Sequence, residues 1–100
     1  MCKMDGIVIT LFSDMYGRNF IARTDKLREE CLELVEAIDN LSPSPKDGEL
    51  DRLIDEMSDV EAVMTHVCDL LHITRDSLLE AAIDKVSKRV ENPNYKRDGK

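Results

Sequence analysis

Two short strings concentrate the residues that could do chemistry. One is Arg28-Glu29-Glu30-Cys31-Leu32-Glu33-Leu34-Val35-Glu36, the other Asp55-Glu56-Met57-Ser58-Asp59-Val60-Glu61. Side chains three apart on a helix project from one side, so Glu30 pairs with Glu33 and Glu56 with Asp59. At about 100° per residue, Glu30 lies about 60° and Glu33 about 120° from Leu27, both on the same side of the apolar stripe. Packed helices sit ~8–10 Å apart, close enough for two carboxylates from each to converge across one groove. Four bare carboxylates there would repel one another and resist ionisation. A hard divalent cation resolves the conflict: Mg²⁺ takes oxygen ligands at ~2.0–2.1 Å and keeps water and substrate phosphates as its remaining ligands. Mn²⁺ accepts similar oxygen donors and could substitute. Spacing alone also fits ordinary solvated helix faces in an acid-rich chain, and that reading stays open at this stage.

The elements that must carry these residues read as four helices. The first runs from about Asp5 to Arg18, with Val8, Leu11, Phe12 and Met15 at helical steps and Gly17 and Asn19 as stop signals. β-Branched residues at 7–10 leave a short strand as the alternative there. The second starts at Thr24 or Asp25, Thr24 serving as N-cap, and carries Leu27, Cys31, Leu34, Val35, Ile38 and Leu41 on one face. Ser42-Pro43-Ser44-Pro45-Lys46-Asp47-Gly48 breaks it. The third spans about Glu49 to Leu71 and is apolar around most of its circumference, which suits a helix central to a bundle or shared with another subunit. It stops near His72, with Thr74 or Asp76 as the next N-cap. The fourth covers about Asp76 to Val90, and the polar tail 91–100 with Pro93 reads as loosely ordered. The expectation is an all-α, four-helix bundle-like single domain over residues 1–100, assembled as an oligomer.

Composition narrows the classes further. The 100 residues hold 14 Lys+Arg and 21 Asp+Glu, a formal charge of −7, with 42% apolar residues, four aromatics and no Trp. That apolar share excludes a disordered acidic tail, and the near-absence of aromatics points to an aliphatic helical core. A net acidic chain lacks the basic face that nucleic acid requires. A metal ion can still bridge it to a phosphate-bearing ligand. The apolar run GIVITLF at 6–12 is too short for a membrane span, and no signal-peptide pattern follows it, so a cytoplasmic protein is expected. Cys2, Cys31 and Cys68 form neither a disulfide framework nor a zinc motif; Cys31 and Cys68 fall in apolar patterns and read as core filler. His66 and His72 face different sides of a helix and read as surface or helix-end residues. Glu61, amid Met57, Met64 and Cys68, marks a buried polar pocket or an interface, unless the apolar face lies elsewhere; the Met residues read as packing, with Met57 and Met64 as candidate pocket walls. No phosphate-binding Gly-rich loop is present.

The residue strings carry one further signal. Glu29-Glu30-x-x-Glu33 on one helix, a connection, then Glu56-x-x-Asp59 on the next resembles the signature of the MazG-like, all-α nucleoside triphosphate pyrophosphohydrolases. The resemblance runs from Leu27 to about Arg89. It implies Mg²⁺-dependent cleavage of nucleoside triphosphates, often deoxynucleotides, to the monophosphate and pyrophosphate, by homodimers or homotetramers. It implies Glu30, Glu33, Glu56 and Asp59 as metal ligands, with Glu29 orienting or activating the attacking water, so that Glu29, Glu30 and Glu33 form the catalytic set. It also implies phosphate contacts from the last helix, commonly a Lys-x-x-x-Asn pair. Here Lys85 matches the Lys while Arg89 stands where Asn is common, leaving Lys85, Lys88 and Arg89 as candidates. Simple complementation of the helix C-terminal dipole explains those cations equally well. Two other functions stay open: a phosphoribosyl-ATP pyrophosphatase of related architecture, and a non-catalytic helical interaction module.

Overall fold

A computed structural model describes residues 3–94, which form four helices: α1 (Lys3–Tyr16), α2 (Phe20–Asp39), α3 (Asp47–Leu70) and α4 (Arg75–Glu91). No strand occurs among the described residues, so the β-branched run at 7–10 is helical. Cys2 and most of the expected loose tail lie outside the described residues. Glu91 closes α4, and Asn92 caps it by donating its amide to the Arg89 carbonyl.

The principal unit is a helical hairpin of α2 and α3, with α1 laid against α3. The connection between α2 and α3 is buckled. The Ser42 amide donates to Glu49 Oε2 at 2.8 Å and the Ser42 hydroxyl to both carboxylate oxygens at 3.0 Å. Those bonds hold the Glu49 pKa below its ordinary value and tie the end of α2 to the first turn of α3. In an antiparallel hairpin, residues equally far from the pivot lie opposite each other. Taking the Ser44–Pro45 bond as pivot, Glu33 faces Glu56, Glu30 faces Asp59, and Arg23 faces His66. Arg23, Glu30 and Ala37, one heptad apart, are the residues that α2 buries.

The start of α2 departs from the sequence expectation. Gly17, at φ 74°, ends α1 with its amide on the Ser13 carbonyl, and Asn19 then caps α2 by accepting from the Ala22 amide at 2.9 Å. Thr24 sits inside the helix and turns its hydroxyl back to the Ile21 carbonyl. An Asn after a left-handed Gly is a better cap than a Thr already followed by helical residues, because its short side chain folds onto free amides. Thr74 caps α4 as expected, accepting from the Ser77 amide.

His66 overturns its expected surface role: it is fully buried. Its Nε2 lies 3.1 Å from Ser13 Oγ, and its ring meets Phe12 edge-on. Ser13 Oγ already accepts from Arg18, whose other terminal nitrogen pairs with Asp69 at 2.8 Å. That favours the Ser13 hydroxyl as donor to a neutral imidazole. Arg23 stacks its guanidinium over Tyr16, 4.8 Å from the ring centroid. One cluster thus binds the end of α1, the start of α2 and the last turns of α3. Cys31 is exposed, not core, because its side of α2 turns away from α3; Cys68 is buried as expected.

Burial holds the His66 pKa below the ordinary 6.5, and the charges of Arg23 and Arg18 push the same way against Asp69. A group whose folded pKa is depressed destabilises the fold once the unfolded chain begins to take up its proton. Thermal melts should therefore lose stability as pH falls from about 7 through 6.5 and below, levelling once the folded form protonates. His66→Gln should lack that component of the slope; identical pH profiles for the two proteins would disprove the assignment.

Candidate metal centre

The hairpin register delivers four carboxylates to one place. One oxygen each from Glu30, Glu33, Glu56 and Asp59 can be chosen so that all lie within 4.8 Å of one another. Oxygens sharing an octahedral Mg²⁺ at ~2.05 Å are about 2.9 Å apart when adjacent and about 4.1 Å when opposite. The cluster is therefore within small side-chain rotations of that geometry.

The donors behave as a set short of positive charge. Glu30 is buried, yet only its Oε1 is paired, with Lys26 Nζ at 3.2 Å. Glu30 Oε2 and Glu56 Oε2 are buried with no hydrogen-bond partner. Such orphaned acceptors are costly unless something positive meets them. A hydrogen bond to Glu30 raises the Glu33 pKa, and the charges of Glu30, Glu56 and Glu29 and some desolvation add to it. Asp59 is raised chiefly by burial, then by Glu30 and Asp55, with Lys26 opposing. Protons are thus drawn into the cluster in the absence of a cation. Oxygen-only donors, two of them with an unsatisfied buried oxygen, fit a hard divalent ion.

Glu29 is not among the four converging residues. It stands one position from Glu30, mostly solvated, with Lys26 at 3.4 Å. Lys26 is a site residue that sequence reasoning missed. It lies three and four positions before Glu29 and Glu30, a spacing that was legible as a helical ion pair. The pairing raises the Lys26 pKa, chiefly through its hydrogen bond to Glu30.

Lys85, Lys88 and Arg89 lie on the exposed face of α4, which does not pack along the carboxylate groove in the single chain. Lys88 is instead paired with Asp84 at 3.0 Å. Glu61 is exposed and ion-paired to Arg75, and with Met57 it lines an open, mostly apolar groove between α1 and α3 rather than a buried polar pocket.

A family profile described as the MazG nucleotide pyrophosphohydrolase domain matches residues 19–93. The chain belongs to the MazG family. The match opens at Asn19, the cap of α2, and contains both acidic strings. Nucleotide pyrophosphohydrolase is accordingly the activity class, and the acidic cluster of this MazG domain is a group of residues that could hold the divalent metal such domains typically use. Among curated proteins and among solved structures, none matches the chain. Among the described residues, no helix is long and apolar enough to cross a membrane.

Replacing one like charge by a neutral amide should relieve repulsion in the metal-free protein and remove a donor from the loaded one. Glu33→Gln is expected to raise the melting temperature in EDTA while abolishing most of the rise that Mg²⁺ produces. Calorimetry should show Mg²⁺ affinity falling by at least about tenfold in Glu30→Gln and Glu56→Gln, since changes merely adjoining a metal ligand already cost ~10–100-fold. Unchanged Mg²⁺ binding in both variants would refute the site.

Proposed function

We propose that this chain is a Mg²⁺-dependent hydrolase, working in the cytoplasm as a single-domain homodimer or homotetramer. Its reaction cleaves nucleoside triphosphates, deoxynucleotides foremost, to the monophosphate and pyrophosphate. The observation that carries the reading is the convergence of Glu30, Glu33, Glu56 and Asp59, with two buried oxygens left unpaired, inside a MazG domain. Mn²⁺ would be accepted at the same donors.

The four carboxylates bind the metal in this reading, and the hairpin holds them on rigid helices, so their positions need little reorganisation. A divalent cation held there would supply charge neutralisation and Lewis acidity for the triphosphate. Glu30 is steadied by Lys26 at one oxygen, and its second oxygen is buried and has no hydrogen-bond partner. Glu29 stands beside the cluster, solvated and held by Lys26. In this position it orients the attacking water and accepts its proton, completing the catalytic set with Glu30 and Glu33. Lys85, Lys88 and Arg89 are assigned to the substrate phosphates. Because α4 does not line the groove of its own chain, that contact requires α4 to come from another copy.

The test is product analysis with purified protein, Mg²⁺ and a panel of nucleoside triphosphates, deoxynucleotides and phosphoribosyl-ATP. Equimolar monophosphate and pyrophosphate from a deoxynucleotide, lost in EDTA and restored by Mg²⁺, is expected. Glu29→Gln should lower kcat by roughly 10²–10⁴-fold while Mg²⁺ binding persists, the range typical of a lost general base. Turnover of phosphoribosyl-ATP alone would replace the substrate assignment. No divalent-dependent cleavage of any of them would leave a non-catalytic helical module as the correct reading.

A further inference from the structure

Building on the hydrolase reading above, we infer that Lys26 is a positioning residue: its ammonium joins Glu29 to Glu30 and so holds the water-activating carboxylate beside the metal-binding set.

Glu29 needs such a tie. It is adjacent to Glu30 in the chain, yet the helix turns the two side chains about 100° apart. Glu30 is buried in the α2–α3 seam, whereas the Glu29 side chain is 58% exposed. A solvated glutamate samples many rotamers, and fixing a side chain of that length costs entropy. A general base must nevertheless sit within hydrogen-bond reach of the water it deprotonates. The helix backbone alone does not confine Glu29 to such a place.

Lys26 lies between the two acids on the helical wheel, about 60° from Glu29 on one side and about 40° from Glu30 on the other. Its Nζ stands 3.4 Å from Glu29 Oε2 and 3.2 Å from Glu30 Oε1. Two oxygens that share one nitrogen at these distances are held next to each other. Glu30 is the packed member of the pair, so the solvated Glu29 is the one brought in. Glu30 Oε2 is buried and has no hydrogen-bond partner. An ammonium and a metal ion can thus use different oxygens of Glu30, and the bridge is compatible with a loaded site. The Lys26 charge is also felt across the seam, where it opposes burial, Glu30 and Asp55 in their upward push on Asp59.

Neighbouring cations of α2 are engaged elsewhere. Arg28 pairs with Asp25 at 3.8 Å on the solvent face, and Arg23 stacks over Tyr16. Helix stability is a poor account of the Lys26 bridge. Glu before Lys is the order that strengthens a helix, and here Lys26 precedes both acids. A direct contact with substrate phosphate is the competing role, and kinetics separates the two.

The test is a double-mutant cycle with Mg²⁺ and the nucleoside triphosphate that the native chain turns over best. Lys26→Met removes the charge and keeps the aliphatic stem. It should lower kcat by about tenfold or more, the usual cost of losing a group that orients a site residue, with KM held within about twofold. In a Glu29→Gln background the same change should alter kcat by less than about twofold, because a residue that acts through Glu29 has nothing left to position. Arg28→Met, which removes a cation from the solvent face, should leave kcat and KM as they were. An unchanged kcat in Lys26→Met, losses that add across the cycle, or a raised KM with kcat preserved would each overturn the inference. A second readout needs no turnover. Lysine-selective NMR of the Mg²⁺-loaded chain should give a slowly exchanging ammonium resonance that Lys26→Met lacks. Its absence from the native chain, or its loss on adding Mg²⁺, overturns the inference as well. A native chain that cleaves no nucleoside triphosphate removes the hydrolase reading and the Lys26 role with it, whereas turnover with additive losses removes the Lys26 role alone.

Discussion

The register of the α2–α3 hairpin is the constraint on which the rest depends. Glu33, Glu30 and Arg23 on α2 meet Glu56, Asp59 and His66 on α3 because each pair is equally far from the Ser44–Pro45 pivot. The Ser42–Glu49 bonds fasten that pivot by joining two polar groups that the loop would otherwise leave to water. A shift of one residue on either helix rotates a side chain by about 100°, enough to take a carboxylate out of the groove. The acidic cluster and the Arg23–His66 region are two turns apart on the same seam, so one register sets both.

Both regions leave buried polar atoms without a hydrogen-bond partner, Arg23 Nε and His66 Nδ1 in one and Glu30 Oε2 and Glu56 Oε2 in the other, but they differ in what surrounds them. At Arg23 and His66, aromatic and hydroxyl groups from α1 pack around the polar side chains. At Glu30 and Glu56, buried oxygens are left without partners, and among the described residues Lys26 is the cation paired with Glu30. Functional sites are commonly where local consistency is given up in this manner.

Much of this was legible in the residues. The i,i+3 acids, the Pro/Gly break and the Thr74 cap follow from local rules that do not need a partner helix. What escaped reading depended on distant contacts. His66 carries no local mark of burial; it is buried because Ser13 and Phe12 arrive from α1. Cys31 shares the apolar period of α2 yet is solvated, because α1 packs on α3 and leaves that side of α2 open. Asn19 looked like the end of one helix and is the start of the next, a distinction set by the left-handed Gly17 before it.

The sequence by itself determined the helical class, the four elements and the two acidic strings, since periodicity and capping act within a few residues of one another. The tertiary structure decided which acids meet, because convergence depends on helix phase across a hairpin. Glu29 and Glu30 are neighbours in the chain, yet about 100° of helix separates them. Only Glu30 enters the cluster, and Glu29 remains in solvent beside Lys26.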